Sequence, residues 1–310
     1  MKILVYGAGV LGSYLAHVLV RGGHDVTVLA RGNRANELER NGVVIRHYFQ
    51  LKTTVDPVRV IRTLEADESY DLIFVVMKYT DFKPVLPVLA ANRSRCIVLV
   101  GNNADAYGML DELQEMSLTE KQIAFGFQLS GGTRANGRVI CIRGGGQMVL
   151  GGLDGPIPFQ PLLEKAFAKV KYKLVFHEDI DAWLKSHIVP ILALNAYLFT
   201  KDGRMKKTAG DKKRLKQIIA AIDEGFSVLE SMDYTITPAS QATFVRKHKL
   251  MAYIAIKIYD MLPFSKLVDG SFGEMAALYD TFSQLKRKAN IPTYHWDDLE
   301  KQFHHSKNSD

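Results

Sequence analysis

The hydrophobic pattern divides the chain in two. Over roughly the first 177 residues, short apolar runs alternate with longer amphipathic stretches. Residues 3–6 read as a buried strand, and a helical pattern starts near Val10 and closes at Gly22 and Gly23. Residues 25–30 read as a second strand, followed by a helix near 33–40 and a β-rich pair around 43–48 and 58–62. Residues 70–77 form the clearest internal strand, because a continuous apolar run suits a strand covered on both faces. The pattern then predicts a helix over 81–91 and a strand over 95–100. Strands alternating with helices in this way are the signature of a parallel, doubly wound sheet.

Residues 121–153 turn β-rich and glycine-dense, and 124–128, 138–143 and 147–150 read as strands and hairpins closing a first domain. A helix over about 161–170 and a strand at 173–176 complete it. Beyond His177 the periodicity becomes helical, as in Ile218, Ile219, Ile222, Phe226 and Leu229. The expected architecture is an α/β Rossmann-like domain over 1–177 followed by an all-α domain over 178–310.

Composition excludes several classes. The chain has 310 residues, 47% hydrophobic and 24% charged, as in an ordinary globular protein with room for two cores. Its net charge of +7 is spread along the chain apart from residues 201–216. Aromatics do not interleave that stretch and no nucleic-acid motif accompanies it, so it reads as a solvated segment, with at most a general bias toward anionic ligands. The two cysteines, Cys96 and Cys141, provide neither a disulfide framework nor a zinc site. The first residues are needed for the sheet, which argues against a signal peptide. The longest apolar run, 188–199, is too short to span a bilayer and contains Pro190 and Asn195. A cytoplasmic protein is expected. The apolar second-half helices serve either a core or a homodimer interface.

The chemistry starts at Gly7-Ala8-Gly9-Val10-Leu11-Gly12, between the first strand and the first helix. In that context the three glycines have separate tasks: Gly7 makes the tight turn, Gly9 lets a pyrophosphate approach the backbone, and Gly12 lets helix and strand pack closely. The helix start adds unpaired N–H groups and a positive dipole end. A site preferring NAD usually ends its second strand in a carboxylate that holds the ribose hydroxyls. Here that position is Arg31, with Arg34 three residues later and no carboxylate until Glu37. A guanidinium pairs bidentately with a 2′-phosphate, so NADP is expected over NAD. Lys78 and Asn102 fall at the C-terminal ends of later strands, on the edge where such sheets bind ligands.

These residues resemble the ketopantoate (2-dehydropantoate) reductase family over essentially the whole chain. The shared features are the N-terminal glycine loop, Arg31, Met77-Lys78, Gly101-Asn102, Ala182-Trp183-Leu184-Lys185 and Gly273-Glu274-Met275. The resemblance implies NADPH-dependent reduction of a 2-oxo acid to a 2-hydroxy acid, and a place in pantothenate biosynthesis. It assigns Lys185 as the general acid that protonates the forming alkoxide, and Glu274 as a partner that holds substrate and tunes the lysine. Asn102 would bond substrate or nicotinamide, and Lys78 would lie by the cofactor ribose or phosphates.

Several positions depart from the family pattern. Where the family repeats Asn four and eight residues beyond the lysine, this chain has Val189 and Ala193. Asn195 lies about 80° off the lysine face at helical spacing, unless Pro190 re-aims it. Asp260 replaces a serine, Tyr279 an asparagine and Asn103 a glycine. Asn195 and Asp260 remain candidate substrate contacts. A pocket with fewer polar groups discriminates less by hydroxyl, so a more apolar 2-oxo acid is an alternative substrate. A 3-hydroxy acid or opine-type dehydrogenase and a non-catalytic NADP-binding sensor are further alternatives, although retention of Lys185 and Glu274 argues against the sensor.

Overall fold

The computed structural model describes residues 1–142, 146–198, 212–261 and 271–307. The chain divides into two compact units, one running Met1–Ile180 and the other holding the described residues from Asp181 onward.

β1 (Lys2–Tyr6), α1 (Val10–Arg21), β2 (Asp25–Leu29) and α2 (Gly32–Asn41) open the first unit. β3 (Val43–His47), β4 (Lys52–Asp56), β5 (Arg59–Ile61) and β6 (Leu72–Val76) follow. Next come α3 (Tyr79–Phe82), α4 (Leu86–Ala91), β7 (Cys96–Val100) and α5 (Ala106–Met116). β8 (Gln122–Gln128), β9 (Gly131–Ala135), β10 (Arg138–Ile142), β11 (Gln147–Gly151), α6 (Gln160–Phe167) and β12 (Lys173–Phe176) close it.

Eight strands form the main sheet in the order β12-β11-β8-β7-β6-β1-β2-β5. From β5 to β8 every neighbour pair is parallel, and only the β8–β11 pair is antiparallel. The chain leaves β1 toward β2 and β5, then returns to β6 and builds outward on the other side. The order therefore reverses between β1 and β6, the place where open α/β sheets bind ligands. β1 and β6 are almost wholly buried, as their unbroken apolar runs require.

Besides the unexpected α5, β4 and β9, two features of the arrangement differ from the sequence expectation. The strand at 43–47 pairs antiparallel with β4 and parallel with β10, in a separate sheet ordered β4-β3-β10-β9, whereas β5 joins the edge of the main sheet. This small sheet lies against α1. Asp56, at the end of β4, is tied to that helix by His17 Nδ1 and Arg21 Nε, each at 2.5 Å. The single helix predicted over 81–91 is broken into α3, a 3-10 turn at Lys83–Val85, and α4. Pro84 and Pro87 lack the N–H donors a continuous helix needs.

All elements described in the second unit are helices: α7 (Ile180–Leu198), α8 (Lys212–Glu230), α9 (Ser240–Lys247), α10 (Lys249–Met261), α11 (Phe272–Ala289) and α12 (Tyr294–Lys307). Trp296 is among its largest fully buried side chains. A Cβ added at Gly225 of α8 would stand 2.7 Å from the Trp296 ring and 2.8 Å from Val189 of α7, so glycine lets these helices close on one another. Glu224 accepts the Trp296 backbone N–H at 2.7 Å and that of His295 at 3.1 Å, satisfying donors that the first turn of α12 leaves open. The basic segment at 201–216 lies outside the described residues up to 211; Lys212, Lys213, Arg214 and Lys216 fall on the start of α8.

Candidate active site

The glycine loop differs from position to position as its spacing requires. Gly7 sits at φ +115°, a region L side chains rarely adopt, and its N–H donates to the Leu29 carbonyl at 3.2 Å. A Cβ on Gly7 would collide with the Val76 carbonyl, and one on Gly12 with the Gly7 carbonyl. Gly9 is exposed, and a Cβ there would meet nothing within 4 Å. Two glycines thus serve packing and the third leaves open backbone. Gly9 also caps α1 without any side-chain partner, while Val10 and Leu11 form the first turn, half-buried. Open N–H groups at a helix start beside bare backbone suit an anionic phosphate, and Ala8 lies buried beneath them.

Arg31 and Arg34 separate sharply. Arg31 is exposed at the N-cap of α2, just past β2. Arg34 is buried, 7% exposed, and its Nε donates to the Ala8 carbonyl at 3.1 Å. Its Nη2 donates to Ser13 Oγ at 2.9 Å, and its Nη1 to Glu37 Oε2 at 3.0 Å and the Gly137 carbonyl at 3.2 Å. Burial pushes the guanidinium pKa down from the ordinary arginine value, and the bond to Glu37 opposes that.

Lys78 follows β6, exposed, and Asn102 follows β7, half-buried. Because β1, β6 and β7 are parallel neighbours, these residues and Gly7 share one edge of the sheet. Gly101 permits the close passage of the β7 end, since a Cβ there would strike the Met77 carbonyl and lie 3.1 Å from the Phe82 ring. Asn103 is committed to the loop: its Oδ1 accepts from Asp105 N at 2.8 Å and its Nδ2 lies 3.3 Å from Met109 Sδ.

In the second unit Lys185 is 5% exposed. Its ammonium donates to Asp181 Oδ1, one helical turn earlier on α7, and lies 4.9 Å from the centroid of the Tyr234 ring. Asp181 is equally buried, and its Oδ2 has no hydrogen-bond partner among the described residues. The Asp-x-x-x-Lys spacing was readable in the sequence as an i, i+4 ion pair; Tyr234, far along the chain, left no local signal. Ser186, the next residue, accepts the Thr237 backbone N–H at 3.2 Å and holds the loop carrying Tyr234 against α7.

Glu274 is buried in the first turn of α11, where its N–H donates to the N-cap Ser271 Oγ at 3.3 Å. Asn195 is turned back on its own helix, with Nδ2 donating to the Ile191 carbonyl at 2.8 Å, so Pro190 does not free it for the lysine face. The Asp260 side chain lies outside the described residues.

Val189 and Ala193 are wholly buried rather than lining an open surface, Val189 against the α8 glycine. Tyr279, also fully buried, donates its hydroxyl to the Leu192 carbonyl at 2.8 Å, beside Ala193. Its ring centroid lies 5.0 Å from that of Phe303 and 5.8 Å from that of Trp296. Three of the five departures, Val189, Ala193 and Tyr279, are therefore fully buried, and Tyr279 bonds the α7 backbone beside Ala193. An amide at 189 or 193 would need buried partners there.

Residues 3–155 match the family model described as ketopantoate reductase PanE/ApbA. A 2-dehydropantoate 2-reductase of Aquifex aeolicus (strain VF5) is 23% identical over 239 residues, which cover 74% of this chain and 73% of that protein. A PanE/ApbA family ketopantoate reductase from Ralstonia eutropha JMP134 superposes with a TM-score of 0.77 at 18% identity, over 99% of each chain. A D-mandelate dehydrogenase in a ternary structure with NADH and anilino(oxo)acetate gives 0.75 at 16% identity, over 100% of this chain and 99% of that one. At such identities the structural likenesses establish a shared fold. The chain thus carries a ketopantoate reductase PanE/ApbA domain over residues 3–155 and shares the fold of that family's solved members over almost its whole length.

Proposed function

We propose that the protein is an NADPH-dependent reductase of the 2-dehydropantoate 2-reductase type, converting a 2-oxo acid to a 2-hydroxy acid. The observation that carries this reading is the buried Lys185 ammonium, fixed between Asp181 and Tyr234 on the helix that opens the second unit. A buried cation paired with a carboxylate is costly to build for packing alone, and such groups concentrate at functional sites.

The first unit supplies the dinucleotide site. The Gly9 backbone and the start of α1 would receive the pyrophosphate and Arg31 the 2′-phosphate, while Lys78 and Asn102 border the same sheet edge. A bound nicotinamide dinucleotide would supply the hydride. As carbonyl reduction builds negative charge on oxygen, Lys185 stabilises that charge and delivers the proton. An ammonium has three donors, so the bond to Asp181 leaves others for a substrate oxygen. Asp181 holds the lysine in position. Glu274 would hold substrate and tune the lysine.

The same fold carries NADH in the D-mandelate dehydrogenase structures, so the cofactor choice rests on Arg31. Initial rates with NADPH and NADH over a panel of 2-oxo acids, ketopantoate included, test cofactor and reaction together. NADPH oxidation with at least one 2-oxo acid is expected. NADPH binding without reduction of any acid in the panel would favour a non-catalytic sensor.

A further inference from the structure

Arg31 and Arg34 stand three residues apart just after β2, yet only Arg31 is exposed. Four of the five N–H donors of Arg34 are engaged, on Ala8, Ser13, Glu37 and Gly137. No fork remains to close on a phosphate.

We infer that Arg34, with Ser13, is a positioning residue that sets the Ala8–Gly9 peptide of the glycine loop for dinucleotide binding. The Ala8 carbonyl is held from within by two donors, Arg34 Nε at 3.1 Å and Ser13 Oγ at 3.2 Å. A trans peptide is planar, so its carbonyl oxygen and the following N–H point opposite ways. Drawing the Ala8 oxygen into the unit therefore turns the Gly9 N–H outward, at the one loop glycine beside open space.

The clamp is braced from both sides. The Ser13 backbone N–H donates to the Gly9 carbonyl at 3.0 Å, and Arg34 Nη2 anchors the Ser13 hydroxyl at 2.9 Å. Nη1 reaches the Gly137 carbonyl in the turn between β9 and β10, so the small sheet supports the loop through this one side chain. Glu37 holds the guanidinium plane at 3.0 Å. Arg34 acts on the part of the site that faces the pyrophosphate, which NADPH and NADH share. Arg31 lies where only the 2′-phosphate distinguishes them.

This inference rests on the dinucleotide reading of the loop, and the test separates the two. Dissociation constants for NADPH and NADH are measured by nicotinamide fluorescence on the purified full-length protein and on Arg34→Met, Ser13→Ala and Arg31→Ala. Arg34→Met is expected to weaken both dinucleotides by the same factor, about tenfold, and Ser13→Ala by about threefold, leaving their ratio unchanged. The cofactor KM rises with them while kcat is retained, since Arg34 touches no reacting atom. Arg31→Ala weakens NADPH alone. A selective loss of NADPH in Arg34→Met would overturn the clamp, as would unchanged constants for both dinucleotides. If Arg34→Met fails to fold, Ser13→Ala decides on the same criterion. Wild-type protein that binds neither dinucleotide overturns the cofactor reading as well; a binding wild type with unaffected variants overturns the clamp alone.

Discussion

Lys185 and Asp181 are buried charges one helical turn apart, so each is tolerated because of the other. Removing one partner of a buried pair leaves an uncompensated charge, whereas replacing both with apolar groups of similar volume is often neutral. Asp181→Leu alone is expected to destabilise the protein by about 3–5 kcal/mol in urea unfolding. The double variant Asp181→Leu, Lys185→Met should recover most of that stability while remaining inactive. A double variant as unstable as the single one would mean that the carboxylate does more than neutralise the lysine. The glycine loop offers a second separation at this scale. Gly9→Val places its side chain in open space, so thermal stability should hold while dinucleotide affinity falls by at least about tenfold, given the close approach a pyrophosphate needs. Gly12→Val should lose both, since its Cβ collides with the Gly7 carbonyl.

Among the elements, α7 and α8 meet where Gly225 faces Val189 and Trp296. Gly225→Val would overpack that contact and should cost about 1–3 kcal/mol, read as a lowered Tm; an unchanged Tm would mean that the helices separate freely there. The apolar cluster around this contact shows why the substrate was hard to read from sequence. Val189 and Ala193 suggested a pocket with fewer polar groups; both are fully buried, and so is Tyr279, whose hydroxyl bonds the Leu192 carbonyl, a partner no local pattern encodes. β1 and β6 were legible because continuous apolar runs leave a buried parallel strand little alternative. β4 was not: Lys52–Asp56 is short and mostly solvated, so it lacks a strong apolar signal. The β3–β10 pairing joins segments almost a hundred residues apart, and no local pattern encodes that. The role of Arg34 was not legible for a similar reason, since its acceptors on Ala8 and Gly137 come together only in the folded unit. Asp181 was within reach through its spacing to Lys185, whereas Tyr234 was not.

For the whole molecule, acid sensitivity follows from His187, which stacks on Trp183 with ring centroids 4.8 Å apart. Burial lowers its pKa from 6.5 to about 4, so the folded state binds fewer protons than the unfolded state between those values. Stability from this group is full above pH 6.5 and is lost as the pH falls toward about 4, by at most about 3 kcal/mol. Urea unfolding across that range should show the decline, and His187→Gln should flatten it; an equal slope in the variant would assign the decline to other groups. At the same scale, the two units divide the proposed labour, with the dinucleotide loop in the first and the proton donor in the second. The most direct test follows NADPH oxidation with the best 2-oxo acid of the panel, comparing wild type with Lys185→Ala at equal folded concentration. The account predicts turnover by wild type and a fall in kcat of about 10²–10⁴-fold in the variant. Wild-type turnover that survives in Lys185→Ala would contradict it.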